Sequence, residues 1–288
     1  MGRLPSFIII GAMKSATSTL YEQLSRQNGI FLPTIKEPNF FSDDSQYSRG
    51  LNWYSGLFDG AESADILGEA STHYTKLPTY PQTVARMRSC LAQPRLMYVM
   101  RDPIDRLISQ YIHHWSEGEI HCGLDEAIPK HPELIDYSCY ARQLKPFIES
   151  FGKENILPVF FDRLTKDPQG ELERVCSFIG YGGKVDWHET ASHGNISAER
   201  VRRFPLYDLV VEHPLAAKLR RNLLPKVMRT KIRQLLSMRA RPVLSEPMRK
   251  HLEAVFNDDL AILSGWLGCR LVCSNFRSLT AVKLLNWR

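Results

Sequence analysis

The chain has 288 residues, 43% hydrophobic and 24% charged, with a formal net charge of +6, the profile of an ordinary globular protein able to bury a substantial core. The charge favours an anionic partner without choosing between a nucleotide, an acidic glycan, a membrane surface and nucleic acid. No apolar window reaches the roughly 18 residues of a membrane span, and the run at 7–10 is too short for a signal-peptide core. The six cysteines lack the spacings of a disulfide scaffold or metal site, so a cytoplasmic chain with reduced, mostly buried thiols is expected.

The first element is a strand over 7–10, four consecutive large apolar residues stopped by Gly11. Lys14, Ser15, Ala16, Thr17, Ser18 and Thr19 then lead into a helix carrying Leu20, Tyr21 and Leu24. A helix N-terminus presents backbone N–H groups that lack intrahelical partners and carry partial positive charge. A phosphate or sulfate can satisfy them while Lys14 adds a full charge. The order is not that of the triphosphate loop Gly-x-x-x-x-Gly-Lys-Ser/Thr, where the lysine comes last and the next hydroxyl holds Mg²⁺.

Ile30, Phe31 and Leu32 form a short strand ended by Pro33. Lys36-Glu37-Pro38-Asn39-Phe40-Phe41 reads as an ordered loop with its aromatics packed inward and Lys36 and Glu37 facing water. Ile66-Leu67-Gly68 is another buried strand, left through Glu69-Ala70-Ser71-Thr72-His73-Tyr74. Glu69 therefore stands at the carboxyl edge, where α/β sheets collect functional residues.

The strand 95–100 comes next, followed by Arg101-Asp102-Pro103, in which Asp102 is a good N-cap and Pro103 suits the first helical position. Ile104, Leu107, Ile108, Tyr111 and Ile112 make an amphipathic stripe. Ser109 lies off that stripe on the polar side, so Arg101 at the strand tip and Ser109 on the helix can face one anion together. The stretch 112–123, with His113, His114 and His121 but no acidic cluster at ligand spacing, reads as a mobile loop beside an acceptor rather than a metal site.

A helix over 138–152 precedes a strand at 156–161, whose Pro158 marks an edge or irregular position. Asp167-Pro168 opens a helix stopped by Gly180, and 181–197 is loop-like. Arg200, Arg202 and Arg203 follow. Between 218 and 241 there are nine Lys or Arg and no acidic residue, interleaved with leucines, a basic amphipathic segment compatible with a solvated face, an anionic glycan or a membrane surface. Ser245-Glu246-Pro247 starts a last helix ended by Gly265. Alternating strands and helices imply an α/β fold, a single domain with a central parallel sheet flanked by helices. Its core spans 1–204, and 205–288 is a helical, basic C-terminal region of the same domain.

Two of these motifs carry a resemblance. Lys-x-small-Thr-Ser/Thr-x-Leu after a hydrophobic strand resembles the P-loop-like 5′-phosphosulfate-binding loop of the PAPS-dependent sulfotransferases (PAPS, 3′-phosphoadenosine 5′-phosphosulfate). Strand, Arg-Asp-Pro, then serine eight residues after the arginine resembles their 3′-phosphate-binding element. Lys-Glu-x-x-Phe-Phe and Glu-x-Ser/Thr-x-x-Tyr resemble segments of the glycan-modifying and bacterial branch. The family usually has glycine where this chain has Ala16, so a positive φ there would cost alanine about 1 kcal/mol or more.

The resemblance implies in-line transfer of a sulfuryl group from PAPS to a carbohydrate or small-molecule alcohol, leaving adenosine 3′,5′-diphosphate (PAP), with no metal and no nucleic acid. In that reading Lys14, Ser15, Ala16, Thr17, Ser18 and Thr19 hold the 5′-phosphosulfate, with Lys14 at the bridging oxygen. Arg101 and Ser109 hold the 3′-phosphate, with Arg200, Arg202 or Arg203 closing over it. Lys36 approaches the transferring group, and Glu69, or after it His73, is the base. The competing expectations are a phosphotransferase built on the same loop and a non-enzymatic anion-binding or membrane-binding protein led by residues 218–241.

Overall fold

The computed structural model describes residues 2–189, 238 and 240–288. Among them are five strands, β1 (Phe7–Gly11), β2 (Ile30–Phe31), β3 (Ile66–Ala70), β4 (Arg95–Met100) and β5 (Ile156–Phe160). They form one parallel sheet in the order β2-β3-β1-β4-β5. β1 is hydrogen-bonded on both edges, with Phe7 opposite Gly68 on one side and Arg95 on the other. All five of its residues are buried, as a continuous apolar run in a parallel strand requires. β5 is an outer strand, which is why Pro158 is tolerated there.

The side chains of β1 alternate between two cores. Phe7 and Ile9 join Leu20, Leu24, Met97, Val99, Leu172 and Val175 on one face. Ile8 and Ile10 join Tyr98, Met100, Leu107, Phe147, Phe256 and Phe276 on the other. The first face is covered by α1 (Thr17–Ser25) and α10 (Pro168–Phe178). The second is covered by α5 (Pro103–Glu117), α8 (Tyr140–Phe151), α11 (Glu246–Leu267) and α12 (Phe276–Val282). Six shorter helices complete the described residues: α2 (Asp44–Tyr47), α3 (Gly50–Gly56), α4 (Thr83–Cys90), α6 (Leu124–Lys130), α7 (Glu133–Asp136) and α9 (Phe161–Lys166).

The expected caps form. Asp102 accepts from the Asp105 N–H, Asp167 from that of Gly170 and Ser245 from that of Met248, each before a proline in the first turn. Three boundaries, and the burial of half the cysteines, differ from the sequence reading. α5 continues to Glu117 and closes on Gly118 at φ +78, which puts His113 and His114 on a helix rather than in a mobile loop. α11 runs through Gly265 because the buried stripe extends to Leu267, and Gly268 at φ +61 ends it. β3 extends to Ala70, so Glu69 lies inside the strand. Cys139, Cys176 and Cys273 are buried, but Cys90, Cys122 and Cys269 are half-buried. Among the described residues no helix is long and apolar enough to cross a membrane.

Gly68 shows how closely β1 and β3 pack. A Cβ there would meet the Phe7 ring at 2.0 Å, too close for anything but displacement of a core aromatic. Gly68→Ala is expected to cost about 1–3 kcal/mol, measured as a lower urea midpoint at unchanged slope. An unshifted midpoint would show that the ring has room to move.

Candidate active site

The loop between β1 and α1 turns through two left-handed residues. Ala16 precedes the helix at φ +68 and ψ +25, and no side chain caps α1. Lys14 also has a left-handed backbone, at φ +70. The first-turn amides of Thr17, Ser18 and Thr19 are thus left to a ligand or water, whereas the proline-led helices satisfy theirs with Asp or Ser. Ser15 is fully buried, and among the described residues its Oγ has no hydrogen-bond partner. An orphaned hydroxyl beside an uncapped helix start fits an oxyanion. Thr17 is buried, Thr19 half-buried and Ser18 exposed.

Two further chain segments close on this loop. From β4, the Arg101 guanidinium donates Nη1–H to the Lys14 carbonyl at 3.3 Å and stacks over Phe161, 4.6 Å from the ring centre. Tyr140 holds the Arg101 backbone from both sides: it accepts from the N–H at 3.2 Å and donates to the carbonyl at 2.5 Å. Burial pushes the Arg101 pKa down, and its Nε is buried without a partner among the described residues. From the segment after β2, Lys36 Nζ donates to Ser18 Oγ at 2.5 Å. The strand-tip arginine and the loop lysine, far apart in sequence, therefore both touch the same turn.

The carboxylates are arranged differently from expectation. Glu69 is completely buried. It accepts from Tyr54 Oη at 3.1 Å and Ser71 Oγ at 3.0 Å, and burial raises its pKa to about 7. No atom of it reaches the protein surface. Glu37 does: its side chain is 32% exposed, with Oε1 3.7 Å from Lys36 Nζ. Its Oε2 accepts from Thr72 Oγ1 at 3.1 Å, and its N–H donates to the Ala70 carbonyl at 3.0 Å. Sequence reading assigned Glu37 to solvent. The signal that could have marked it is its place directly after Lys36.

His73 is engaged elsewhere, its Nδ1 3.0 Å from Asp43 Oδ1 and its ring stacked on Tyr80; burial lowers its pKa. Lys76, not singled out in the sequence, has its pKa lowered to about 8 by burial, against the opposing fields of Glu37 and Asp43. Ser109 is off the apolar stripe as read, but it is buried rather than facing water. Beside it on α5 sit Arg106 and Gln110, both fully buried. Arg106 donates to Ser138 Oγ at 2.5 Å, Gln110 Oε1 at 2.7 Å and the Leu134 carbonyl at 2.9 Å. The polar side of α5 at this point is an internal hydrogen-bonded layer, not a solvated face.

His114 bonds to Gln110 and Glu119, and among the described residues no group of three or more His, Cys, Asp or Glu is placed to hold a metal ion. Arg200, Arg202, Arg203, the boundary at 204–205 and nearly all of 218–241 lie outside the described residues. From that last segment, Arg241 pairs with Asp105 at 2.7 Å.

The sequence model of the sulfotransferase domain family matches residues 4–223. Mouse heparan sulfate glucosamine 3-O-sulfotransferase 3B1 is 33% identical over 187 residues, 62% of this chain and 46% of the relative. The membrane-associated sulfotransferase kil1 of Dictyostelium discoideum is 35% identical over 111 residues, 38% of this chain and 22% of the relative. The chain spans about half the length, or less, of the relatives it matches. In fold it is similar to a sulfotransferase from Alicyclobacillus acidocaldarius, with a TM-score of 0.66 at 23% identity over 93% of this chain and 98% of the other. It is also similar to a mouse sulfotransferase complexed with PAP, with a TM-score of 0.50 at 14% identity over 90% and 85%.

The left-handed turn at Ala16 has a measurable cost. Ala16→Gly is expected to stabilise the chain by about 1 kcal/mol, seen as a higher urea midpoint. A lower midpoint would mean that the alanine methyl contributes packing worth more than the backbone strain.

Proposed function

The chain belongs to the sulfotransferase domain family, and from that premise we propose that it moves a sulfuryl group from PAPS to an acceptor hydroxyl on a carbohydrate or small molecule. The observation that carries the proposal is the convergence on one uncapped helix start of Lys36, through Ser18, and Arg101, through the Lys14 carbonyl, around the unpartnered Ser15 hydroxyl. A dianionic group is the ligand that such a concentration of donors suits.

The reaction asks the protein mainly for alignment and for charge placed where negative charge grows. The amides of Thr17, Ser18 and Thr19 and the Ser15 hydroxyl hold the 5′-phosphate. Lys14 balances the charge that develops on the bridging oxygen as the sulfur–oxygen bond breaks. Lys36, already within hydrogen-bond reach of the helix start, faces the transferring group. Arg101, at the tip of β4, serves the 3′-phosphate, whereas Ser109 lies buried in the layer of Arg106 and Gln110. Glu37 is the carboxylate that takes the acceptor proton, because it is exposed beside Lys36 while Glu69 is sealed in the core. Relatives named for a glucosamine acceptor favour a sugar hydroxyl.

Calorimetric titration with PAP in EDTA, beside ATP with Mg²⁺, tests the donor site. Metal-independent PAP binding that Arg101→Ala weakens tenfold or more, an effect of about 1.4 kcal/mol, is expected. Binding of ATP with Mg²⁺ in preference to PAP would overturn the reading. Once an acceptor is in hand, Glu37→Gln is expected to lower turnover by about 10²–10⁴-fold with PAP affinity unchanged. Equal activity in this variant would remove Glu37 from the mechanism.

A further inference from the structure

The buried carboxylate of Glu69 has two oxygens, and both lead to the same segment of chain. Oε1 accepts from Tyr54 Oη, and the Tyr54 ring stacks flat on Phe40, 4.5 Å between centres and 9° between planes. Oε2 accepts from Ser71 Oγ, and that same Oγ accepts the Asn39 N–H at 3.0 Å. Phe40 and Asn39 belong to the segment that carries Lys36 and Glu37. This segment is locally strained, because Glu37 and Asn39, neither of them glycine, stand at φ +56 and +52. A strained backbone persists only where its surroundings hold it. Here the holding contacts are the Asn39 N–H to Ser71, the Glu37 N–H to Ala70 and the Phe40 stack on Tyr54.

A hydroxyl has one proton. Because Ser71 commits its proton to Glu69, its lone pairs remain for Asn39. We propose that Glu69 is a positioning residue, which acts through Ser71 and Tyr54 to hold the Lys36–Glu37 turn against the anion loop. The proposal rests on the sulfotransferase reading for the use of that turn, but the geometry it describes does not.

The consequence is a dependence on pH. The groups facing Glu69 are Tyr54 on α3, Tyr74 in the turn Thr72–Thr75, Glu37 on the strained segment and Tyr21 on α1. Burial pushes both Tyr54 and Tyr74 well above the ordinary tyrosine range, and Tyr21 is raised too, so none of the three loses its proton near neutrality. Glu69, raised by burial to about 7, does change there. Above that pH both of its oxygens accept with charge assistance. Below it one oxygen carries a proton, and the bonds from Tyr54 and Ser71 weaken to neutral ones. The segment is therefore held more firmly at pH 8 than at pH 6.

Amide hydrogen exchange on the full chain with PAP present reads this directly, in the peptide covering residues 36–42, after division by the intrinsic exchange rate at each pH. In wild type the protection of that peptide is expected to rise about tenfold or less from pH 6 to pH 8. Glu69→Gln abolishes the pH dependence, and Ser71→Ala lowers protection at pH 8 by a similar factor, while a peptide from β4 is unchanged in both. Equal protection and equal pH dependence in wild type and variants would overturn the proposal, as would a loss spread equally over β4. Ser71→Ala keeps the test decisive if the glutamine variant fails to fold. Failure of PAP to bind any of the proteins would count against the sulfotransferase reading alone, since the exchange comparison can be made without it.

Discussion

The arrangement of the site depends on one constraint, the parallel pairing of β1 with strands on both of its edges. Parallel strands end at the same side of the sheet. The exits of β3, β1 and β4 consequently open side by side, and whatever residues follow those strands meet there. Thr72 follows β3, Lys14 follows β1 and Arg101 follows β4. The contacts along this edge, Arg101 to the Lys14 carbonyl and Thr72 to Glu37 of the segment after β2, are short because the ladder has already set the distances. Antiparallel pairing of any one of these strands would carry its exit to the opposite edge.

On that edge the charges are prepared in advance. The helix start supplies partial positive charge that cannot move away, and the full charges of Arg101 and Lys36 are fastened to the same turn by hydrogen bonds. Arg101 is immobilised by Tyr140 and the Phe161 ring. Little reorganisation is then left for the moment an anion arrives, which is the condition under which electrostatic stabilisation is most effective. The left-handed residues Lys14 and Ala16 are the structural cost of presenting the amides in this way.

How much of this was legible in the sequence depended on whether the signal was local. Phe7 to Ile10, the stripe on α5 and the Asp-Pro caps are local patterns, and each produced the element expected of it. The helices of four to eight residues carry too few turns for periodicity to show, and α11 passed an interior glycine because packing at Leu267 outweighed a weak stop. The passage from β1 into α1 was readable because residue type, order and position along one short stretch define it. The roles of the two glutamates were not. Glu69 is buried by Tyr54 on α3 and tied to Ser71, and nothing at position 69 announces a hydroxyl contact arriving from position 54. Arg106 is a similar case: a charged residue on a helix reads as solvated, and only the arrival of Ser138 and the Leu134 carbonyl makes it a core residue.

The two carboxylates show how one fold gives the same functional group two tasks. In the proposed reaction Glu37, partly exposed next to a lysine, is the carboxylate available to a proton on an acceptor. Glu69 is closed in against hydroxyl groups, and the imbalance between desolvation and hydrogen bonding raises its pKa. A carboxylate in that position is poor at touching a substrate and good at directing hydroxyl protons, because it only accepts while it is ionised. The strained turn at Glu37 and Asn39 needs such direction, since the Asn39 N–H has the Ser71 oxygen as its anchor only as long as that oxygen's proton points inward. The buried glutamate and the exposed one are therefore parts of one device: the first holds the backbone that presents the second.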